Sequence, residues 1–255
     1  MAKVLVIVPF ALDEEGLNNR RVQQKAVKLG PDIEFDYKPV AAGPTSFMSA
    51  HDWALMEVAI WEAGMSAQED GYDAVCIDTM SDSGMAPLRS MLDIPVISPG
   101  KASMLFALML GNRFGVLAQW DAALPRYQKA VQEYGLAAHC AAVESFDTPP
   151  DFSALMDGKE AEVFPKMKAA AERAIEKGAE VICLGSTTMH QAAVFLADNL
   201  PVPVVNPGPL TYKLAETVLG LGLTHSRRAF PTPLSPKPAM LRAMLKAAAE
   251  TETQN

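Results

Sequence analysis

Eight short β-rich runs divide the chain, and stretches that read as helices alternate with them. The runs are KVLVIVP (3–9), DIEFDYKPV (32–40), residues 73–78, IPVISP (94–99), RFGVLA (113–118), LAAHCAAV (136–143), AEVICLG (179–185) and VPVVNP (202–207). Helical stretches cover 14–29, 52–70, 86–92, 101–111, 121–135, 159–177, 189–199 and 209–222, with a last one at 237–250. Gly178 is placed to end the helix before it. Antiparallel neighbours can be joined by two-residue turns. Parallel neighbours need a crossover of a dozen residues or more, usually a helix. This pattern therefore predicts α/β architecture with parallel sheets. DIEFDYKPV alternates, as a more exposed strand would.

A repeat divides the pattern in two. AVCIDTMSDSGM (74–85) and VICLGSTTMHQA (181–192) superpose at an offset of 107, which puts Ala74 on Val181, Cys76 on Cys183 and Thr79 on Ser186. PVISPG (95–100) matches PVVNPG (203–208) at an offset of 108. The expectation is two similar lobes, each a roughly four-stranded parallel sheet flanked by helices, pseudo-twofold related. The active site is expected in the cleft between them. Residues 1–98 plus about 209–255 form the first lobe, and 99–208 the second. A length of 255 residues suits this division.

Composition narrows the function. The net charge of −8 argues against nucleic acid and anionic membrane surfaces as partners. Three cysteines without CxxC spacing predict neither a disulfide framework nor a zinc site, and a cytoplasmic location follows. No apolar run approaches the ~20 residues that span a bilayer. MAKVLVIVPF reads as a first strand and not as a signal peptide. No GxGxxG or P-loop string appears. MLFALML (104–110) is apolar nearly all round, which suits a buried helix or a subunit contact in a homo-oligomer.

Ligands of open parallel sheets bind at the carboxyl ends of the strands. Thr79 and Ser186 stand at two such ends, followed by Met80, Ser81 and Asp82 in one case and by Thr187 and Thr188 in the other. Backbone N–H groups at the helix starts just beyond them can hold a carboxylate or an enolate. The alternative is that these hydroxyls only cap helices. Asp82 is either an N-cap or, with its pKa raised by burial, a general base. His190 falls in the first turn of its helix and is a second base candidate, and His51 a third. His139 and His225 read as structural. Cys76 and Cys183 lie inside strands and read as core, as does Cys140. Asp78 alternates away from Thr79. Ser46 sits in a GPTS loop and is a ligand contact or a turn hydroxyl. Pro207 and Gly208, like Pro99 and Gly100, shape a strand-to-helix turn.

The pieces AAGPTSF (41–47), GYDAVCIDTMSDSGM (71–85), DIPVISPGKASMLFALMLGNRFGVL (93–117), GAEVICLGSTTM (178–189) and LAETVLGLGLTHSRRAFPTP (214–233) resemble, in order, the Asp/Glu/hydantoin racemase superfamily, most of all its hydantoin racemase branch. The resemblance implies two α/β lobes and chemistry without metal, pyridoxal phosphate or nucleotide. It implies two cysteines at the two strand ends, one removing an α-proton and the other returning it. Here an ungapped match puts Thr79 and Ser186 at those positions. An aliphatic hydroxyl is a far weaker acid than a thiol, so such a pair needs another group to move the proton. The family's Asn-Pro-Asn type turn is VPFALD (8–13) in this chain, which makes Pro9 and Phe10 its candidate substrate contacts. The leading expectation is a cofactor-independent racemase or isomerase acting on a small anionic or cyclic-amide carbonyl compound. A hydrolase, lyase or decarboxylase using the Ser and Thr hydroxyls, and a non-catalytic metabolite-binding protein, are the alternatives.

Overall fold

The computed structural model describes residues 1–148 and 160–252. In chain order the elements are β1 (Ala2–Val8), α1 (Glu14–Lys25), β2 (Ile33–Pro39), α2 (Ala50–Gly64), β3 (Ala74–Ile77), α3 (Met85–Met91), β4 (Val96–Ile97) and α4 (Pro99–Ala107). There follow β5 (Phe114–Ala118), α5 (Leu124–Glu133), β6 (Cys140–Ser145), α6 (Glu160–Glu176), β7 (Val181–Leu184), α7 (His190–Asn199), β8 (Val204–Val205), α8 (Pro207–Gly220) and α9 (Pro238–Glu252).

Among the described residues, eight strands make two four-stranded sheets, in the orders β2-β1-β3-β4 and β6-β5-β7-β8. Every pairing is parallel. Adding four to each strand of the first order gives the second, so the sequence repeat is a repeat of topology. Cys76 pairs with Val6 and Ile97, and Cys183 pairs with Val116 and Val205. The two cysteines thus hold one place in two copies of one sheet. The chain divides into two compact units, Met1–Ser98 with Thr211–Asn255, and Pro99–Leu210.

In the first unit, Val4, Val6, Val8, Ala74 and Cys76 bury one sheet face against Leu17 of α1 and against Tyr212 and Ala215 of α8. In the second, Leu117, Ile182 and Leu184 pack on Val163, Met167, Ala170, Ala171 and Ala174 of α6 and on Leu196 of α7. Each large side chain so enclosed contributes about 1.5–3 kcal/mol relative to exposure. β2, an edge strand, keeps most of its residues half-buried, as its alternating sequence suggests.

Local chemistry moves several boundaries from the sequence expectation. α2 starts at Ala50 because Ser49 and Asp52 form a reciprocal capping box. α4 starts at Pro99, since a proline fits the first helical position, and ends at Ala107. β6 begins at Cys140 and not at 136: Gly135, at φ 72°, ends α5, and Leu136–Cys140 closes a turn through Cys140 N–H to Leu136 O at 3.1 Å. α6 ends in the expected glycine cap, with Gly178 N–H on Ile175 O and Ala179 N–H on Ala174 O. Residues 149–153 of the Pro- and Asp-rich loop and residue 159 lie outside the described residues. No described helix is long and apolar enough to cross a membrane.

Candidate active site

Each unit ends its third strand in the same hydroxyl turn. Past β3, Thr79 Oγ1 lies 3.2 Å from Ser81 Oγ and accepts the Ser81 N–H at 3.4 Å. Past β7, Ser186 Oγ lies 3.0 Å from Thr188 Oγ1 and accepts the Thr188 N–H at 3.3 Å. Thr79 and Ser186 are half-buried, while Ser81, Thr187 and Thr188 are buried. Neither leading hydroxyl caps a helix. The N-cap of α3 is Gly84 and that of α7 is Met189, and neither N-cap makes a side-chain cap hydrogen bond. The helix-cap alternative is thereby removed for Thr79 and Ser186. The α7 entrance also keeps backbone N–H groups that no N-cap side chain satisfies.

Different partners hold the two strand ends. In unit 2 the Tyr127 hydroxyl donates to Gly185 O at 2.6 Å. A Cβ on Gly185 would strike the carbonyl of Leu117, so only glycine brings β7 that close to β5. In unit 1 the residue at the matching place is Asp78. Its N–H continues the ladder onto Ile7 O at 3.0 Å. Its carboxylate faces Arg20 Nε at 3.7 Å, with both side chains nearly enclosed. Nearby, the Tyr37 hydroxyl donates to that of Tyr212 at 3.0 Å. Burial pushes both phenols well up, and the Asp78 charge adds to this.

Beyond Ser81 the hydroxyl chain of unit 1 runs on to Ser83 at 2.9 Å, a residue that the sequence reading missed. The alternating T-x-S-x-S spacing was its available signal. Asp82 does not cap α3. It is buried, adopts φ 55°, and accepts a hydrogen bond from the Ser98 hydroxyl. A left-handed aspartate is uncommon and marks a position worth functional attention. In unit 2 the chain beyond Thr188 reaches His190, the first residue of α7. A Cβ on Gly208 would strike Thr187 O and come within 3.1 Å of His190 Nε2. Gly208 therefore brings the α8 entrance, the Thr187 backbone and the His190 ring together.

The remaining candidates fall in several places. Met80 is buried. Pro9 is buried and Phe10 half-buried past β1, with the Phe10 ring 4.8 Å from that of Phe47, which stacks on Trp53 at 5.2 Å. Ser46 Oγ donates to Asp52 Oδ2 at 3.3 Å. His51 stands exposed beside Asp52. Hydrogen bonds from the Met48 backbone, the His51 ring and Ser49 hold the Asp52 carboxyl below its usual range. His139 and His225 lie apart from both turns in sequence. His139 meets Asn112 O at 3.1 Å, and the His225 ring packs on Phe230. Cys76 and Cys183 are fully enclosed, and burial drives both thiols well above their ordinary value. Cys183 Sγ contacts Ser103 O at 3.6 Å. Among the described residues, no group of three or more His, Cys, Asp or Glu is placed to hold a metal ion.

Comparison with known proteins adds the family. The Asp/Glu/Hydantoin racemase family matches residues 19–215. A hydantoin racemase of Pseudomonas sp. (strain NS671) is 29% identical over 186 residues, covering 72% of this chain and 74% of the relative. An allantoin racemase structure from Klebsiella pneumoniae superposes with a TM-score of 0.82 at 27% identity, over 92% of this chain and 95% of the other. Arylmalonate decarboxylase shares the fold, with a TM-score of 0.59 at 19% identity over 89% and 98% of the two chains. Two repeated parallel sheets ending in matched hydroxyl turns, and a family match over most of the chain, lead to one conclusion: this is a racemase-like enzyme, and the chain belongs to the Asp/Glu/hydantoin racemase family.

Proposed function

We propose that the protein catalyses cofactor-independent proton transfer at a carbon next to a carbonyl, on a small cyclic-amide or carboxylate compound. The observation that supports this reading most is the pair of matched turns, Thr79–Ser81 and Ser186–Thr188, on a chain of this family. The C–H bond of the substrate breaks, its proton passes to a base, and its electron pair moves onto the carbonyl oxygen. Hydroxyls and backbone N–H groups of such a turn donate to that oxygen. Thr79 and Ser186 stand at the positions the family resemblance gives to cysteines. As hydroxyls they polarise and orient, and the proton moves to and from Asp82 or His190. The hydantoin and allantoin racemases among the relatives make hydantoins and ureides the first substrates to try.

The test is proton NMR in deuterated water with single enantiomers of 5-substituted hydantoins, allantoin and α-substituted acids. Exchange of the α-proton together with loss of optical rotation is the expected result. Ring opening or release of carbon dioxide without exchange would replace this reading with a hydrolase or lyase. Binding of these compounds without any reaction would replace it with a metabolite-binding protein.

A further inference from the structure

α3 has little of its own to hold it in place. It is seven residues long, Met85–Met91, and of its side chains only Leu88 is buried. Helices this short are marginal by themselves, so their position comes from contacts made elsewhere. The Asp82 turn stands at its start: the Met85 N–H reaches Asp82 O at 3.2 Å, and the Leu88 N–H reaches Gly84 O at 3.1 Å. A shift of α3 therefore carries the Asp82 backbone with it.

The far end of α3 is held by Arg227, in the connection between α8 and α9. Its Nη1 donates to Arg89 O at 2.7 Å and to Ser90 O at 3.1 Å, two of the last carbonyls of α3 that no later N–H of the helix reaches. Nη1 also meets Phe230 O at 3.4 Å. Nη2 donates to Leu92 O, and Nη2 and Nε both donate to Asp93 Oδ1, at 2.5 and 3.0 Å. Thr224 Oγ1 adds a bond to Asp93 O at 2.7 Å. A guanidinium carries its N–H donors in one rigid plane, which a lysine ammonium cannot reproduce. Its positive charge also suits a helix C-terminus.

The same clasp reaches Asp82 by a second route. Arg89 lies over the Phe230 ring, 5.2 Å from its centroid, and donates from Nη2 and Nε to Val96 O at 2.8 and 3.1 Å. Val96 opens β4, and Ser98, just past β4, donates to the Asp82 carboxylate. The backbone of Asp82 is thus tied to Arg227 through α3, and its carboxylate is tied to Arg89 through β4. Unit 2 is built otherwise. At the offset of 107 Asp82 falls on Met189, and α7 ends on its own Asn199, whose Nδ2 donates to Phe195 O at 2.8 Å.

We infer that Arg227 is a positioning residue for Asp82, the candidate base of unit 1: it fixes α3, and through α3 the place of the Asp82 carboxylate. This deepens the reading of the previous subsection and rests on it for the reaction, but not for the brace.

Two measurements on Arg227→Ala test it, both made well below its melting temperature, where the variant is folded. The first is backbone amide exchange by NMR. The amides of Met85 and Leu88 should exchange about 10-fold or more faster than in the intact protein, while those of β3 keep their protection. The second is α-proton exchange from a 5-substituted hydantoin. Here kcat should fall about 10–100-fold with KM within about twofold, because geometry and not affinity is lost. Arg227→Lys, which keeps the charge without the fork, should recover only part of the loss. Should Arg227→Ala not fold, Asp93→Ala is read in the same two ways. It removes the exposed carboxylate that aims the guanidinium, and should lower kcat about 3–10-fold. A kcat within about twofold of the intact protein's, a loss confined to KM, or Met85 and Leu88 amides that exchange at the intact rate overturns the inference. Faster exchange at those amides, in a protein whose intact form shows no α-proton exchange, supports the Arg227 brace and removes the proton-transfer reading instead.

Discussion

Tyr127 donates its hydroxyl to the carbonyl of Gly185 at 2.6 Å, immediately before Ser186. The bond joins α5 to the end of β7 and fixes where the Ser186 turn begins. Tyr127→Phe removes this bond and keeps the ring. We expect a loss of about 1–2 kcal/mol in urea unfolding and a fall in kcat larger than any rise in KM. Gly185→Ala is expected to be worse, because the added methyl meets the Leu117 carbonyl backbone and cannot be accommodated by a side-chain shift. A fully stable Gly185→Ala protein would contradict this account.

Ser186→Ala and Thr79→Ala should each lower kcat/KM for α-proton exchange by about 10²-fold, the usual loss for one oxyanion-directed donor. Thr79→Cys with Ser186→Cys supplies groups whose ordinary pKa is about 8.5–9, and exchange should then rise as pH increases from 7 to 9. A steady rate across that range would show that the introduced thiols do not reach the reacting carbon.

The Arg20–Asp78 pair lies at the other strand end, with side chains 10% and 6% exposed. Among the described residues Arg20 Nη1 has no hydrogen-bond partner, so the pair is imperfectly satisfied. Removing one member leaves the other charge enclosed: Arg20→Met is expected to cost about 3–5 kcal/mol. Replacing both, Arg20→Met with Asp78→Leu, should restore most of this. Denaturant titration of the three variants separates the outcomes.

Stability should fall in both acid and alkali, for separate reasons. Burial alone would raise the Glu144 carboxyl, but Lys177 at 2.6 Å and Arg173 at 3.0 Å outweigh it and hold it below its ordinary 4.5. A depressed carboxylate stabilises the fold above that ordinary value, and the gain disappears as pH falls through the folded value. Glu144→Gln should therefore be less stable at pH 7 and less sensitive to acid. On the alkaline side burial raises Cys76 and Cys183 above their ordinary 9.0. The unfolded chain then ionises first, so stability declines as pH rises beyond 9.0. An aromatic disulfide reagent should label neither thiol in the native protein and all three cysteines after unfolding.

Much of this was readable in the sequence, because strand period and helix length are local properties. The parallel sheets, the matched turns at Thr79 and Ser186 and the glycine cap at Gly178 all come from neighbours in the chain. What stayed hidden depends on distance. Tyr127 is 58 residues from Gly185, and Arg20 as far from Asp78, so no local spacing announces either pair. Asp82 resembled a cap because aspartate before a helix usually is one. Its left-handed backbone and its bond to Ser98 appear only when β4 lies beside β3. The late start of β6 was obscured by an apolar LAAHC that turns before it extends.

Unit 1 is interrupted by the whole of unit 2, and this sets an order of assembly on the ribosome. Tyr212 and Ala215 cover the first sheet, and Leu241 and Leu245 are buried on α9, which contacts α2. All four emerge only after Pro99–Leu210 has been made. At about 5–20 residues per second that interval lasts roughly 6–20 s. Throughout it, Val4, Val6 and Cys76 lack the helix that will cover them. The unit begun first is therefore completed last, and the nascent first sheet, not the second, is the part of this chain that most needs shelter while it is being made.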